Sequence, residues 1–165
     1  MVKQMVSIVY VTNTGSSKKY AEMLSEKTGY PCYSLGDSDA AVGTDVVFIG
    51  WVMAGTLQGL SEARVKFGTL KAVVAVGMMK SESQDAALKE KNSISEPFFS
   101  LAGAFDVKKL SGMYKMMMGM MLKMIKAKMS ESDDPQAKEA MKMFDEGFDL
   151  VSEENLAELA EFLGK

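Results

Sequence analysis

Thr12-Asn13-Thr14-Gly15-Ser16-Ser17 is the stretch whose residue types and spacing point most directly to chemistry. It stands where an apolar run ends and a helical pattern begins. Backbone N–H groups at a helix start are unpaired and sit at the positive end of the helix dipole, so they favour a phosphate dianion. Hydroxyls of Thr12, Thr14 and Ser17 add donors, and Gly15 lets the backbone approach closely. The lysine of a Walker A loop is missing, which argues against a nucleoside triphosphate, and there is no G-x-G-x-x-G fingerprint. The same residues would serve as a plain N-cap. Their place after the first strand of a strand–helix–strand pattern favours the phosphate reading.

Few other side chains compete for a chemical role. Histidine is absent, which removes the usual base near neutral pH, the Ser-His and Cys-His nucleophile pairs and the commonest metal ligand. Cys32 is the single cysteine, so neither an internal disulfide nor a cysteine-based metal cluster is expected. No metal site is expected, and a bound cofactor is the natural source of reactivity for such a chain. The net charge of −3 is divided unevenly. Residues 1–129 hold 16 Lys and Arg against 11 Asp and Glu, whereas residues 130–165 hold 3 against 11. No basic stripe interleaved with aromatics suggests nucleic acid.

The elements that position the loop follow from the apolar pattern. Val6–Val11, Pro31–Leu35, Asp45–Gly50, Leu70–Val76 and Phe98–Phe105 read as five strands, the second near an edge because Pro31 cannot donate to a ladder. Helices are expected at Ser17–Lys27, closed by Gly29, at Leu57–Phe67 and at about Gln84–Asn92. Two more are expected at Gly112–Met129 and Pro135–Phe144, and a last one at about Glu153–Leu163 with Ser152 as N-cap. At 165 residues with 47% hydrophobic content, the chain reads as one soluble domain, 1–165, with a Met-rich and acidic helical extension at 111–146. Strands alternating with helices imply an α/β fold with a parallel sheet and helices on both faces. No secretory segment or bilayer-length apolar run is found, so a cytoplasmic placement is expected.

Thr-Asn-Thr-Gly-Ser-Ser resembles the phosphate-loop signature of the flavodoxins, Ser/Thr-x-Thr-Gly-x-Thr, with Ser17 keeping the final hydroxyl. The resemblance implies a flavodoxin-like three-layer sandwich with strand order 2-1-3-4-5 and FMN as cofactor. It assigns the 5′-phosphate to Thr12, Asn13, Thr14, Gly15, Ser16 and Ser17. In that family two further loops, after the third and fourth strands, clamp the flavin ring. Here they would be Trp51-Val52-Met53-Ala54-Gly55-Thr56 and Gly77-Met78-Met79-Lys80-Ser81. Trp51 would stack on the ring or pack at the strand end. Met78 and Met79 stand where many flavodoxins place an aromatic, and thioether sulfur also contacts aromatic faces favourably.

The segment Met113–Lys126 is dominated by methionine. At 100° per residue Lys115, Lys123 and Lys126 fall within about 80° of one another, and apolar side chains cover most of the rest. Three readings are open: burial against the sheet or in a homodimer, a peripheral membrane contact through 113–128 at the inner face, or an adaptable surface for a hydrophobic partner. Leu101-Ala102-Gly103-Ala104-Phe105, then Tyr114, the Met/Lys helix, the acidic stretch and the terminal helix resemble the anaerobic-type, quinone-dependent protoporphyrinogen oxidases. That resemblance spans essentially the whole chain and is looser than the loop match. Asp106–Leu110 offers two lysines where that family carries arginines and aromatics. Three functions follow as expectations. They are FMN redox exchange with a quinone, protein or hydrophobic partner, oxidase activity of the protoporphyrinogen type, and a flavin-free interaction scaffold.

Overall fold

The structure, a computed structural model, describes residues 5–12, 15–53, 55–77, 82–105 and 148–165, with positions 116, 120, 123, 124 and 127 between them. The chain divides into two compact units, residues 1–103 with 151–165, and residues 104–150.

The first unit is an α/β assembly around a mostly parallel sheet. Its elements are β1 (Val6–Tyr10), α1 (Ser16–Thr28), β2 (Cys32–Ser34), β3 (Asp45–Met53), β4 (Thr56–Leu57), α2 (Leu60–Phe67), β5 (Ala72–Gly77), α3 (Glu82–Lys91), β6 (Phe98–Ala102) and α4 (Ala157–Phe162). Five strands lie parallel in the order β2-β1-β3-β5-β6, and β4 pairs antiparallel with the far end of β3. Alternate side chains of a strand point to opposite faces, so each apolar run feeds two cores. Ile8, Val47, Ile49 and Val74 meet Tyr20 and Leu24 of α1 and Leu159 of α4 on one face. Val9, Val46, Phe48 and Val73 meet Leu60 and Ala63 of α2 and Leu88 of α3 on the other. Helices on both faces explain why β3 and β5 are apolar throughout rather than alternating. Each such side chain contributes about 1.5–3 kcal/mol when fully buried.

Glycine and capping chemistry set the ends of α1. Gly29 closes it at φ 78°, its N–H donating to Ser25 O at 2.8 Å. Ser152 Oγ accepts from Glu154 N at 3.3 Å, but residues Glu153–Leu156 form a 3-10 turn before α4 begins. Two expected boundaries are corrected by local packing. The segment expected as a loop after Gly50 continues as strand to Met53 and turns back through β4, so Leu57 belongs to a hairpin rather than to α2. Gln58 N–H is already committed to Trp51 O at 2.9 Å, and α2 starts only after Gly59, at φ 84°. The strand expected through Phe105 ends at Ala102. Gly103 N–H donates to Gly77 O at 2.7 Å, and a Cβ on Gly103 would lie 2.9 Å from that oxygen.

In the second unit, β7 (Ala104–Phe105) pairs antiparallel with β8 (Phe148–Asp149). Positions 116, 120, 123, 124 and 127 are helical; the rest of the expected helices 112–129 and 135–144 lies outside the described residues. Among the described residues no helix is long and apolar enough to cross a membrane.

Candidate functional site

The carboxyl end of β1 hands directly to α1 through the candidate phosphate loop. Gly15 is the N-cap of α1 and takes φ 102°, a left-handed conformation that glycine adopts without Cβ strain. Its N–H donates to Thr12 Oγ1 at 2.9 Å, which closes the loop on itself, and its carbonyl accepts the first helical bond from Lys19 N at 2.9 Å. A Cβ placed on Gly15 would meet no described atom within 4 Å. Ser16 and Ser17 both begin the helix buried, and Ser17 is fully so. Its hydroxyl has no hydrogen-bond partner, the single buried side-chain oxygen or nitrogen so placed among the described residues. Asn13 and Thr14 lie outside the described residues.

Gly77, the last residue of β5, is drawn to the same place. The Gly103 site touches both Gly77 O and Ser16, whose Cβ lies 3.5 Å from a Cβ built on Gly103. Two candidate residues 61 positions apart, Ser16 and Gly77, thus flank one glycine that sequence reasoning did not single out. A glycine inside an apparent strand signals close backbone approach, and that signal was present in Leu-Ala-Gly-Ala-Phe. Behind it, the buried Tyr20 hydroxyl donates to Ala102 O and accepts from Asn155 Nδ2 at 2.9 Å, tying α1 to β6 and to the terminal turn.

The second candidate segment is built differently. Trp51, Val52 and Met53 are half-buried members of β3; Trp51 pairs with Val76, and Val52 and Met53 pair with Leu57 and Thr56. Gly55 turns the hairpin at φ 78°. Asn92, just past α3, holds that turn on both sides. Its Nδ2 donates to Gly55 O at 3.1 Å, and its Oδ1 accepts from Leu57 N at 3.1 Å. Arg64 of α2 in turn donates to Asn92 O at 3.0 Å and grips Glu96 at 3.2 and 2.9 Å. Burial pushes the Glu96 carboxyl up, but the Arg64 guanidinium and nearby backbone N–H groups outweigh it and hold Glu96 below the ordinary carboxylate value. Ala54, Met78 and Met79 lie outside the described residues, as do Lys80 and Ser81.

On the β2 side of the phosphate loop a cavity of about 590 Å³ opens between residues 10–12, residues 34–36 and the Glu62 and Lys66 side chains of α2. It exists because β2 runs to β3 through two short 3-10 turns, Leu35–Asp37 and Asp39–Ala41, so no helix covers this stretch. Lys66 Nζ reaches from α2 to Asp39 Oδ1 at 2.7 Å, and its hydrogen bond and charge hold the exposed Asp39 carboxyl below its usual value. The sequence gives little warning of this cavity, which depends on how α2 lies beside an edge strand.

In the second unit Met116, Met120 and Met124 are 66%, 63% and 65% exposed, one helical turn apart, and Lys123 beside them is exposed too. Within the single chain these three are therefore not core residues.

Comparison of the chain with protein-family models, with characterised proteins and with solved structures gives no match in any of the three. The functional reading rests on the geometry.

Proposed function

We propose that this protein binds FMN, with its 5′-phosphate in the 12–17 loop, and exchanges electrons through it with a quinone, a protein or another hydrophobic partner. One observation carries the reading: the fully buried Ser17 hydroxyl at the start of α1 has no protein partner. Leaving such a group unsatisfied costs about 1–3 kcal/mol, which a phosphate oxygen would offset once the turn at Gly15 shifts to admit it. Gly15 gives room for that oxygen, and the Thr12 hydroxyl, which already accepts from Gly15 N–H, keeps its own hydrogen for donation. A parallel sheet in the order β2-β1-β3-β5-β6 is compatible with a flavodoxin-like fold, in which ligands sit at the carboxyl ends of the strands around the first and third.

The flavin, when bound, supplies the redox chemistry itself. The chain's own residues would do three things. Thr12, Ser16 and Ser17 with the N–H groups of α1 would hold the phosphate. Gly103, which lies beside Ser16 and bonds Gly77 O, would keep the ends of β5 and β6 close to it. Trp51 would border the ring, with the segment beyond Gly77 on its other side. The exposed Met116, Met120 and Met124 would offer a hydrophobic partner an adaptable surface.

The test compares FMN with riboflavin, which lacks the phosphate, on the protein and on Gly15→Val. The expected result is tight FMN binding that falls by about 100-fold or more in the variant, because a β-branched residue resists the left-handed conformation and its methyls enter the phosphate space. Riboflavin binding should change little. Equal losses for the two ligands would remove the phosphate from this loop, and no binding of FMN to the native chain would end the flavin reading.

A further inference from the structure

The cavity of about 590 Å³ beside the loop is within the size range of small-molecule sites and shares Thr12 with the phosphate loop. It lies on the β2 side of β1, away from Trp51 and Gly77, which belong to β3 and β5 on the other side. With the phosphate in the loop and the ring toward Trp51, this cavity is left for a group that extends from the phosphate toward β2.

The lining says what that extension is. Val11 and Leu35, which pack on the α2 face of the sheet, supply an apolar wall on which a planar base can rest. Ser34 adds a hydroxyl that can serve a base or sugar edge. Glu62 stands one helical turn from Lys66 on α2, so a carboxylate able to accept from both hydroxyls of a ribose lies beside an ammonium able to meet a second phosphate. Lys66 is held at present by Asp39, whose carboxylate is 96% exposed and can yield its place to an incoming phosphate without being buried.

We propose that this groove is an adenylate pocket continuous with the phosphate loop, so that the flavin nucleotide the protein prefers is the dinucleotide FAD, its FMN half in the loop and its AMP half between β1, β2 and α2. The inference rests on the phosphate reading of the loop. It does not need a glycine fingerprint, because the second phosphate is met by a lysine side chain rather than by a second helix start.

Titration of the protein with FMN, FAD and AMP decides it, repeated on Lys66→Met, Glu62→Gln and Leu35→Trp. Lys66→Met and Glu62→Gln change surface positions on α2 and should leave the fold intact, whereas Leu35→Trp fills the groove. FAD should bind about tenfold or more tighter than FMN, since each charge-assisted contact made by the AMP half is worth about that factor. Each variant should bring FAD down towards the FMN value while leaving FMN unchanged. FMN binding as tightly as FAD to the native chain would overturn the pocket, as would an FAD preference that survives all three variants. Binding of AMP alone, with neither flavin bound, would keep the pocket and discard the flavin reading; no binding of any of the three would discard both.

Discussion

The start of α1 and the β3–β4 hairpin both looked like ligand-holding segments, yet they treat their polar groups in opposite ways. Around the hairpin the protein supplies the partners itself: Asn92 satisfies Gly55 O and Leu57 N, and Gln58 N meets Trp51 O. At the start of α1, Ser17 is buried as completely as any core residue, and its hydroxyl is left without a partner. Buried polar groups in folded proteins are nearly always paired, so the first arrangement is that of a scaffold, and the second leaves a donor for the phosphate proposed above. A segment that must meet a ligand keeps donors in reserve; one that positions the site spends them on the fold.

The largest effect expected from this contrast lies on the scaffold side. Asn92→Ala would strip two partners from the hairpin at once and leave the N–H of the buried Leu57 unsatisfied. Stability should fall by about 2–3 kcal/mol, read as a lower urea midpoint at unchanged slope. Phosphate recognition should survive, so the ratio of FMN to riboflavin affinity should stay at the native value. A ratio that collapsed in step with stability would mean that hairpin and loop are one unit, and the contrast would fail.

Ser17→Ala tests the other side, and its two readouts should move in opposite directions. Removing an orphaned buried hydroxyl, at a position where alanine is also the better helix former, should raise the stability of the ligand-free protein by about 1 kcal/mol. The same change should weaken FMN by about tenfold or more, the worth of one hydrogen bond to a charged phosphate, and leave riboflavin alone. A ligand-free protein destabilised by the substitution would show that the hydroxyl already has a partner in solution.

Much of the frame was legible before any coordinates. Val46–Ile49 and Val73–Val76 read as buried strands because helices cover both faces of the sheet, and Tyr20, Ala21 and Leu24 read as one helix face because α1 packs through it. Misreadings cluster at glycines. Gly55 reads as part of a loop but turns a hairpin, because the strand expected to stop at Gly50 runs on to Met53; Gly50 within it must lack a side chain, since a Cβ there would lie 2.6 Å from Gln58 O. Gly103 was absorbed into a strand that it in fact ends. The role of Asn92 was not readable at all, since its partners Gly55 and Leu57 are 37 and 35 residues away and nothing local marks the contact. Ser17 was legible as a hydroxyl in the right motif. That it is buried and unpartnered is a property of the packed start of α1, which a sequence cannot display.

The smallest expected effect concerns acid. Glu96 sits in the scaffold network that steadies Asn92 through Arg64, and its carboxyl is held below the ordinary value in the folded chain. A depressed folded-state value means that the ionised form favours folding. Its contribution is complete above the unfolded carboxylate value near 4.3, and it is lost as pH falls through the lower folded value. The native protein should therefore lose about 1 kcal/mol to this pair on acidification below about pH 4, in addition to the general acid loss shared by other carboxylates. Glu96→Gln removes the charge at every pH, so its stability deficit against the native chain should be greatest at neutral pH and shrink towards zero in acid. Because the hydrogen bonds of Glu96 run to Arg64 and those of Asn92 to the hairpin, rather than to Thr12 or Gly15, FMN affinity relative to riboflavin should follow the same pH profile in both proteins. A deficit independent of pH would show that Glu96 acts through packing, and that the hairpin is steadied by Asn92 without help from the ion pair behind it.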